Sequence, residues 1–534
     1  MKRNKSTIVK RAHILFISVI FILGMLSFRI LMIQGDTLVD VAEIQSTKSV
    51  TLAVSRGYIY DRNGNPLVNT VKTDKSVVLS NNMTTNTIKN LFSSEAAKDG
   101  IFIKTGTIAE KDSDYIKNFY ELKRYSDNQL CKHIIGYTDS TGYGVCGIEK
   151  AFDRILDEAK GSLKVSFKTN AQGNALVGNG FEIFNDNYDS SAGISLTIDK
   201  DIQRITEEAM KNSDITCGAA VVIDVETGGI LASVSLPEYD IENLGEYLNK
   251  ENQPFLNRAL NAYPVGSVIK PFIAAAALEE GFNLFSVYEC KGYYNTGGNV
   301  FKCYNSNKHG TEDLNTAIQN SCNTYFINIG ISAGKEQIIR TLDLFGFGKE
   351  IQLCTTLIAS SGNLPTSEEI TSDSQLANLC FGQGELTVTP IQLAAAYSAL
   401  ARNGEYKEPY LLNELYDNNK QIYGYYKTEN KYTSVSEKTC DIINTSLYNN
   451  MLNGTGSSAC PENVTAAGKT ATAQTGRYDA NGNEILCTWF AGFFPYEDPQ
   501  YTLVIFNEYG SSASEDCGPV FKQIAEKITK NSKQ

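Results

Sequence analysis

The stretch YPVGSVIKPFIAAAALEEGF, Tyr263–Phe282, decides how this chain reads. Ser267 and Lys270 stand three positions apart, followed by Pro271, a run of alanines and Gly281. Proline is accepted in a first helical turn, so the pattern predicts a helix beginning near Ser267. Positions i and i+3 share a helix face, which brings the lysine amine towards the serine hydroxyl. A lysine whose pKa is lowered by burial can serve as the base that histidine supplies elsewhere. Composition favours that choice. Of 534 residues only His13, His133 and His309 are histidines, and they are scattered. A site built on several imidazoles is excluded, and a Ser-His-Asp triad has few candidates. Alone, S-x-x-K also fits a capping serine beside a surface lysine. A second copy, Ser332–Lys335, is set aside because Gly334 interrupts the turn.

Two further segments extend the reading. In TAIQNSCNTYFINIG, Thr316–Gly330, Ser321 and Asn323 offer a hydroxyl and an amide that can relay a proton and hold a substrate amide. In AAGKTATAQTG, Ala466–Gly476, Lys469, Thr470 and Thr472 offer a cation and hydroxyls for a carboxylate, and a strand backbone N–H for an oxyanion. Gly468-Lys469-Thr470 resembles the end of a phosphate-binding loop. The first glycine such a loop needs would be at 463, which is Asn463.

The surrounding pattern predicts an α+β domain over 194–534. GAAVVIDVETGGILASVS, Gly218–Ser235, reads as two buried strands joined at a Thr-Gly-Gly turn. LTIDKDIQRIT, continuing to Lys211, reads as a helix. LAAAYSALARNG reads as a helix ending at Asn403-Gly404. TWFAGFFPYEDPQYTLVIFNE reads as two edge-forming strands. Residues 36–193 show alternating runs, SVTLAV and SVVLS, that read as strands. The polar, glycine-rich stretch Asn170–Gly193 reads as a loop or boundary.

Charge divides the chain. The net charge of −12 argues against a nucleic-acid partner. Yet no acidic residue precedes Asp36, and Lys2, Arg3, Lys5, Lys10 and Arg11 are basic. Ile14–Ile33 is an apolar run long enough to span a bilayer core. LMIQGDTLVD follows it without a small-residue cleavage site, which predicts an uncleaved anchor over 1–35. The basic flank places the N-terminus in the cytoplasm and the remainder outside.

The twelve cysteines, from Cys131 to Cys517, contain no C-x-x-C and no metal spacing, so no metal or cofactor is expected. Cys290 and Cys303 flank KGYYNTGGNVFK, a candidate hairpin, and either pair across it or remain free thiols.

The order S-x-x-K, S-x-N, K-T-x resembles penicillin-recognising serine transferases and hydrolases. Other segments bring the chain close to the class B penicillin-binding proteins, monofunctional peptidoglycan D,D-transpeptidases. They are SRGYIYDRNGNPLV, GYGVCGIEKAFDRIL, NRAL, HGTEDLNTAIQNSCNTYF and FGQGELTVTPIQLAAAYSAL. The resemblance spans nearly the whole chain. It implies an N-terminal membrane helix (1–35), an elongated pedestal domain of the dimerisation type (36–193) and a transpeptidase domain with an antiparallel sheet covered by helices (194–534).

The resemblance also implies roles. Ser267 is the nucleophile, Lys270 its base, Ser321 a proton relay and Asn323 an orienting amide. Lys469, Thr470 and Thr472 bind the terminal carboxylate. The substrate would be stem peptides ending in D-Ala-D-Ala, β-lactams would acylate Ser267, and a membrane glycosyltransferase and other cell-wall synthesis proteins would be partners. One departure stands out: the family has K-T-G where this chain has Lys469-Thr470-Ala471, so a methyl is expected to add bulk beside the groove. A literal K-T-G-T at Lys104–Thr107 is a decoy, because it precedes the serine. Two alternatives stay open: a carboxypeptidase or β-lactamase, and a degenerate member that regulates a glycosyltransferase.

Overall fold

The apolar N-terminal run forms a single helix, α1, Arg3–Ile33. Its stretch Ser6–Met32 is long and apolar enough to cross a membrane, and its side chains are exposed throughout. The computed structural model describes residues 3–33, 46–79, 101–108, 112–170, 172, 175–176, 181–425 and 431–531. Gln34 to Asp40 of the LMIQGDTLVD stretch, and Ser80 at the end of SVVLS, lie outside the described residues. Two compact units form: Met1–Ser55, Val71–Lys123 and Lys160–Asp189 make one, and Arg56–Thr70, Arg124–Ala159 and Ser190–Gln534 the other.

The first unit is built on two three-stranded antiparallel sheets. Its strands are β1 (Thr47–Ser55), β2 (Val71–Leu79), β3 (Ile101–Thr105), β4 (Ile116–Lys123), β5 (Gly161–Lys168) and β6 (Glu182–Asp186). They pair in the orders β1-β5-β6 and β3-β2-β4. In GSLKVSFK the period of two sends Leu163, Val165 and Phe167 inward, onto a core with Val50, Leu52, Val77 and Phe119. Of the loop or boundary expected over Asn170–Gly193, β6 corrects the loop, while the division between the two units does fall in the stretch, between Asp189 and Ser190. The residues of β6 are mostly exposed, with Ile183 packed against the core and Phe184 turned outward, and pairing with β5 makes them a strand. Residues 171, 173–174 and 177–180 of that stretch lie outside the described residues. Lys104–Thr107, the decoy K-T-G-T, belongs to this unit, at the end of β3.

The second unit centres on a five-stranded antiparallel sheet. After helix α2 (Lys200–Lys211) come β7 (Gly218–Asp224) and β8 (Ile230–Leu236), the two strands expected around the Thr-Gly-Gly turn. Helix α3 (Lys270–Glu279) follows. A small β segment comprises β9 (Tyr288–Cys290), β10 (Tyr293–Thr296), β11 (Asn299–Lys302) and β12 (Gly310–Glu312). The helices α4 (Leu314–Gln319), α5 (Asn323–Ala333), α6 (Pro390–Ala401) and α7 (Glu437–Asn453) then lead to β13 (Ala467–Tyr478), β14 (Glu484–Phe494) and β15 (Tyr501–Gly510). Helix α8 (Gly518–Asn531) ends the unit.

The strand order is β8-β7-β15-β14-β13. β14 and β15 are thus interior strands, not the edge strands expected, and the edge beside the motifs is β13. The physical reason is visible in their side chains. Trp489, Ala491 and Phe493 pack on one face of the sheet, with Val504, Phe506, Val221 and Ile223. Phe490, Phe494, Leu503, Ile505 and Val222 pack on the other, against α2 and α8. Helices cover both faces, so these strands read as continuous apolar runs.

α3 is buried from Lys270 through Ala277. Its alanines let neighbouring helices approach closely. α2 starts at Asp199, whose side chain accepts from the backbone N–H groups of Asp201 and Ile202. In the NRAL segment, buried Arg258 donates through Nε to Glu508 Oε2 at 2.7 Å, and through its terminal nitrogens to the carbonyls of Gln253 and Asn252. Removing Arg258 leaves the enclosed Glu508 carboxylate with only the longer, 3.8 Å contact to the exposed Arg477. Arg258→Ala is therefore expected to cost about 3–5 kcal/mol in thermal or urea unfolding. The exposed Arg204–Glu208 pair provides the contrast: Arg204→Ala should cost under about 0.5 kcal/mol.

Candidate functional site

Ser267 sits in a tight turn that its neighbours hold from several sides. The helix proper begins at Lys270. Gly266–Ile269 form a short 3₁₀ turn in front of it, where residues three apart eclipse one another. Ser267 and Lys270 thereby share a face, as the spacing requires. Gly266 has φ +63° and donates its N–H to Gly382 O at 2.9 Å. Gly382 itself has φ +80°, and a Cβ there would lie 1.9 Å from Gly266 O. The two backbones meet at a distance only glycine allows. Trp489 Nε1 donates to Pro264 O at 2.9 Å, and Tyr397 Oη to Val268 O at 3.0 Å. The single tryptophan of the chain and an interior helix thus anchor the turn on both sides of Ser267, whose side chain remains partly exposed.

Lys270 is fully buried. Its Nζ donates to Ser321 O at 2.7 Å, Ser321 Oγ at 3.1 Å and Asn323 Oδ1 at 2.7 Å. Burial pulls its pKa down to about 7, against weaker opposing effects of Cys322 and Cys303. Of its three partners only the Ser321 hydroxyl can also donate. It is the group able to accommodate the amine once a proton is lost. Ser321 lies between α4 and α5 with φ +50°, a left-handed conformation a serine rarely adopts. Asn323 opens α5, and its Nδ2 donates to Lys302 O at 3.0 Å. Ser321 and Asn323 are thus brought onto one amine.

The third segment is β13, with Lys469 opposite Ala491, Ala471 opposite Trp489 and Thr472 opposite Thr488. Lys469 is fully buried, and burial together with the nearby Lys270 cation holds its pKa well below the ordinary lysine value. Its Nζ donates to Thr455 Oγ1 at 3.0 Å and Thr470 O at 3.2 Å. Thr455 was missed by sequence reasoning. It lies in the Gly454-Thr455-Gly456 turn, its N–H donates to Gln319 O at 3.0 Å, and no motif spacing marks it. Thr470 is buried and Thr472 exposed. The Ala471 methyl is enclosed, and with Ala473 Cβ it lies 3.2 Å from where a Cβ on Gly266 would be. It fills the seam beneath the serine turn.

The thiols gather unexpectedly. KGYYNTGGNVFK is the hairpin β10–β11, as its glycines suggest. At its base the Sγ atoms of Cys290 and Cys303 lie 3.8 Å apart, unbonded. The sequence shows no metal spacing, yet folding brings Cys290, Cys303, His309 and Cys322 together, with ligand atoms all within 4.8 Å of one another.

Comparison with known proteins identifies the domain that carries these residues. Residues 218–529 match the penicillin binding protein transpeptidase domain. The chain belongs to this family. Its relatives include proteins named peptidoglycan D,D-transpeptidases, matched along 70% or more of their length. Stage V sporulation protein D of Bacillus subtilis (strain 168) is 26% identical, over 99% of this chain and 86% of that protein. Peptidoglycan D,D-transpeptidase MrdA of Haemophilus influenzae is 25% identical, over 98% of this chain and 92% of that one. Among solved structures, penicillin binding protein 3 of Mycobacterium tuberculosis complexed with aztreonam shares the fold. Its TM-score is 0.65 at 22% identity, over 91% of this chain and 97% of that one.

For this penicillin-binding protein the enclosed Ala471 methyl gives a direct expectation. Ala471→Gly loses packing and gains unfolded-state freedom, so stability should fall by about 1 kcal/mol in thermal unfolding. Labelling by a fluorescent penicillin should persist.

Proposed function

We propose that the protein is a peptidoglycan D,D-transpeptidase that works through a Ser267 acyl-enzyme. The observation that carries this reading is the buried Lys270 amine. It is poised near neutrality at the head of α3, on the same face as Ser267, and is held by Ser321 and Asn323. Relatives named peptidoglycan D,D-transpeptidases support the substrate class.

Ser267 Oγ attacks the carbonyl of the penultimate D-alanine while neutral Lys270 accepts its proton. Backbone N–H groups of Ser267 and Thr472 hold the oxyanion. The departing D-alanine takes a proton through Ser321, leaving an ester on Ser267. An amine from a neighbouring stem then attacks the ester, forming the cross-link and returning the proton to Ser267. Asn323 orients the donor peptide. Lys469, Thr470 and Thr472 receive its terminal carboxylate, whose charge would offset the cost of a buried Lys469 cation. A β-lactam follows the first half of this path and stops at the ester. No step calls on a cofactor.

The basic residues from Lys2 to Arg11, ahead of the apolar run Ile14–Ile33, favour a cytoplasmic N-terminus with the catalytic unit outside. A glycosyltransferase that polymerises glycan strands is the expected partner. The penicillin-binding protein PBP2 of Helicobacter pylori, of similar fold, has been solved in complex with MreC, so a further cell-wall partner is in keeping with this reading.

Ser267→Ala should abolish covalent labelling by a fluorescent penicillin; a mutant that still labels rules the assignment out. The pH dependence follows from Lys270. Only its neutral form accepts a proton, and that form is lost as pH falls through about 7. Acylation should therefore drop about tenfold per pH unit below about 7 and level off above it. A rate flat from pH 5.5 to 8.5 would remove Lys270 as the base.

A further inference from the structure

The cluster of Cys290, Cys303, His309 and Cys322 carries out no step of the chemistry above, and its four ligand atoms lie within 4.8 Å of one another. We propose that it binds one zinc ion. Zinc takes Cys sulfur at about 2.3 Å and His nitrogen at about 2.0–2.1 Å in a tetrahedron. Those bond lengths make the tetrahedral edges about 3.8 Å between sulfurs and about 3.5 Å from sulfur to nitrogen. The protein shows Cys290 Sγ to Cys303 Sγ at 3.8 Å, Cys303 Sγ to Cys322 Sγ at 3.9 Å and Cys290 Sγ to His309 Nδ1 at 3.4 Å. A disulfide would use two of these groups and leave a third thiol and an imidazole converging on nothing. Soft thiolates with one imidazole in a closed four-donor set select zinc over magnesium or calcium.

The surroundings fit. The three cysteines are buried, while the His309 side chain retains 15% exposure and gives a route in. The Thr324 hydroxyl lies 3.2 Å from Cys290 Sγ, 3.4 Å from Cys322 Sγ and 3.7 Å from Cys303 Sγ, placed to donate to a metal-bound thiolate. Binding would release the three thiol protons.

The ligands also sit where a cage would matter. Cys322 lies between Ser321 and Asn323, and Cys303 follows Lys302. Two ligands therefore flank the Asn323 Nδ2 to Lys302 O hydrogen bond. The ion would fasten the β10–β11 hairpin, too short to be stable alone, to the start of α5. It is a positioning device for Asn323 and so for the Lys270 amine. The binding itself stands independently of the reaction proposed above.

The test uses the full-length protein, solubilised in detergent and purified without a polyhistidine tag. Elemental analysis should find about one zinc per chain. The Cys290→Ser/Cys303→Ser double variant and His309→Ala should lose it, while Cys354→Ser, outside the cluster, should retain it. Cobalt substitution of the stripped protein should give the visible absorption of a tetrahedral thiolate site, a readout that does not depend on variant folding or on activity. Stripping with a strong chelator should lower Tm by several degrees and cut penicillin labelling more than tenfold, both restored by zinc and not by magnesium. Wild-type protein from zinc-supplemented cells that carries no zinc overturns the site, whether its thiols prove free or disulfide-bonded. Full labelling by stripped protein overturns the positioning role.

Discussion

A lysine amine taken out of water is the constraint on which the site depends. Lys270 has no carboxylate beside it. Desolvation alone pulls its pKa towards neutrality, and three oxygens from one turn satisfy its donors. An exposed lysine at the same spacing would stay protonated and could not accept a proton from serine. In the reaction proposed for Ser267, the alanine-rich α3 has a chemical role as well as a structural one. It is small enough to be enclosed on all sides, and its enclosure is what tunes the amine.

The rest of the second unit can be understood as support for that enclosure. The sheet is covered on both faces, which is why β14 and β15 carry apolar residues at nearly every position. Trp489 uses one face of β14 to bond the Pro264 carbonyl, and Tyr397 of α6 bonds Val268, so the Ser267 turn is tied to two layers. Gly266 and Gly382 touch backbone to backbone across it. On the far side, Thr455 receives Lys469. Lys469 is disfavoured as a cation by burial and by the nearby Lys270, a cost that an anion would relieve. Ala471, the departure from the usual glycine, turns its methyl into the seam against Gly266, where it is packed and not presented to solvent.

Much of this was legible from residues alone, and for identifiable reasons. The S-x-x-K spacing and the alanine run announced a helix with amine and hydroxyl on one face. The Thr-Gly-Gly turn between two β-branched runs announced β7 and β8. Other features carried no local signal. β6 is short, mostly exposed and set in a glycine- and asparagine-rich stretch, and its pairing with β5 makes it a strand. The interior position of β14 and β15 depends on which helices pack on each face. Thr455 lies in a glycine turn with no motif around it.

The sequence by itself determined the chemistry available: a serine, two lysines, a hydroxyl–amide pair and a scarcity of histidine that leaves lysine as the base in the proposed reaction. It also determined an apolar N-terminal helix of membrane-spanning length, because periodicity and run length are local properties of a chain. Only the tertiary structure decided what depends on distance across the fold. It buried Lys270 and Lys469, set Thr455 against Lys469, and brought Cys290, Cys303 and Cys322 to His309. Those residues are far apart in sequence, and a burial or a contact between them exists only once helices and sheet have closed around them.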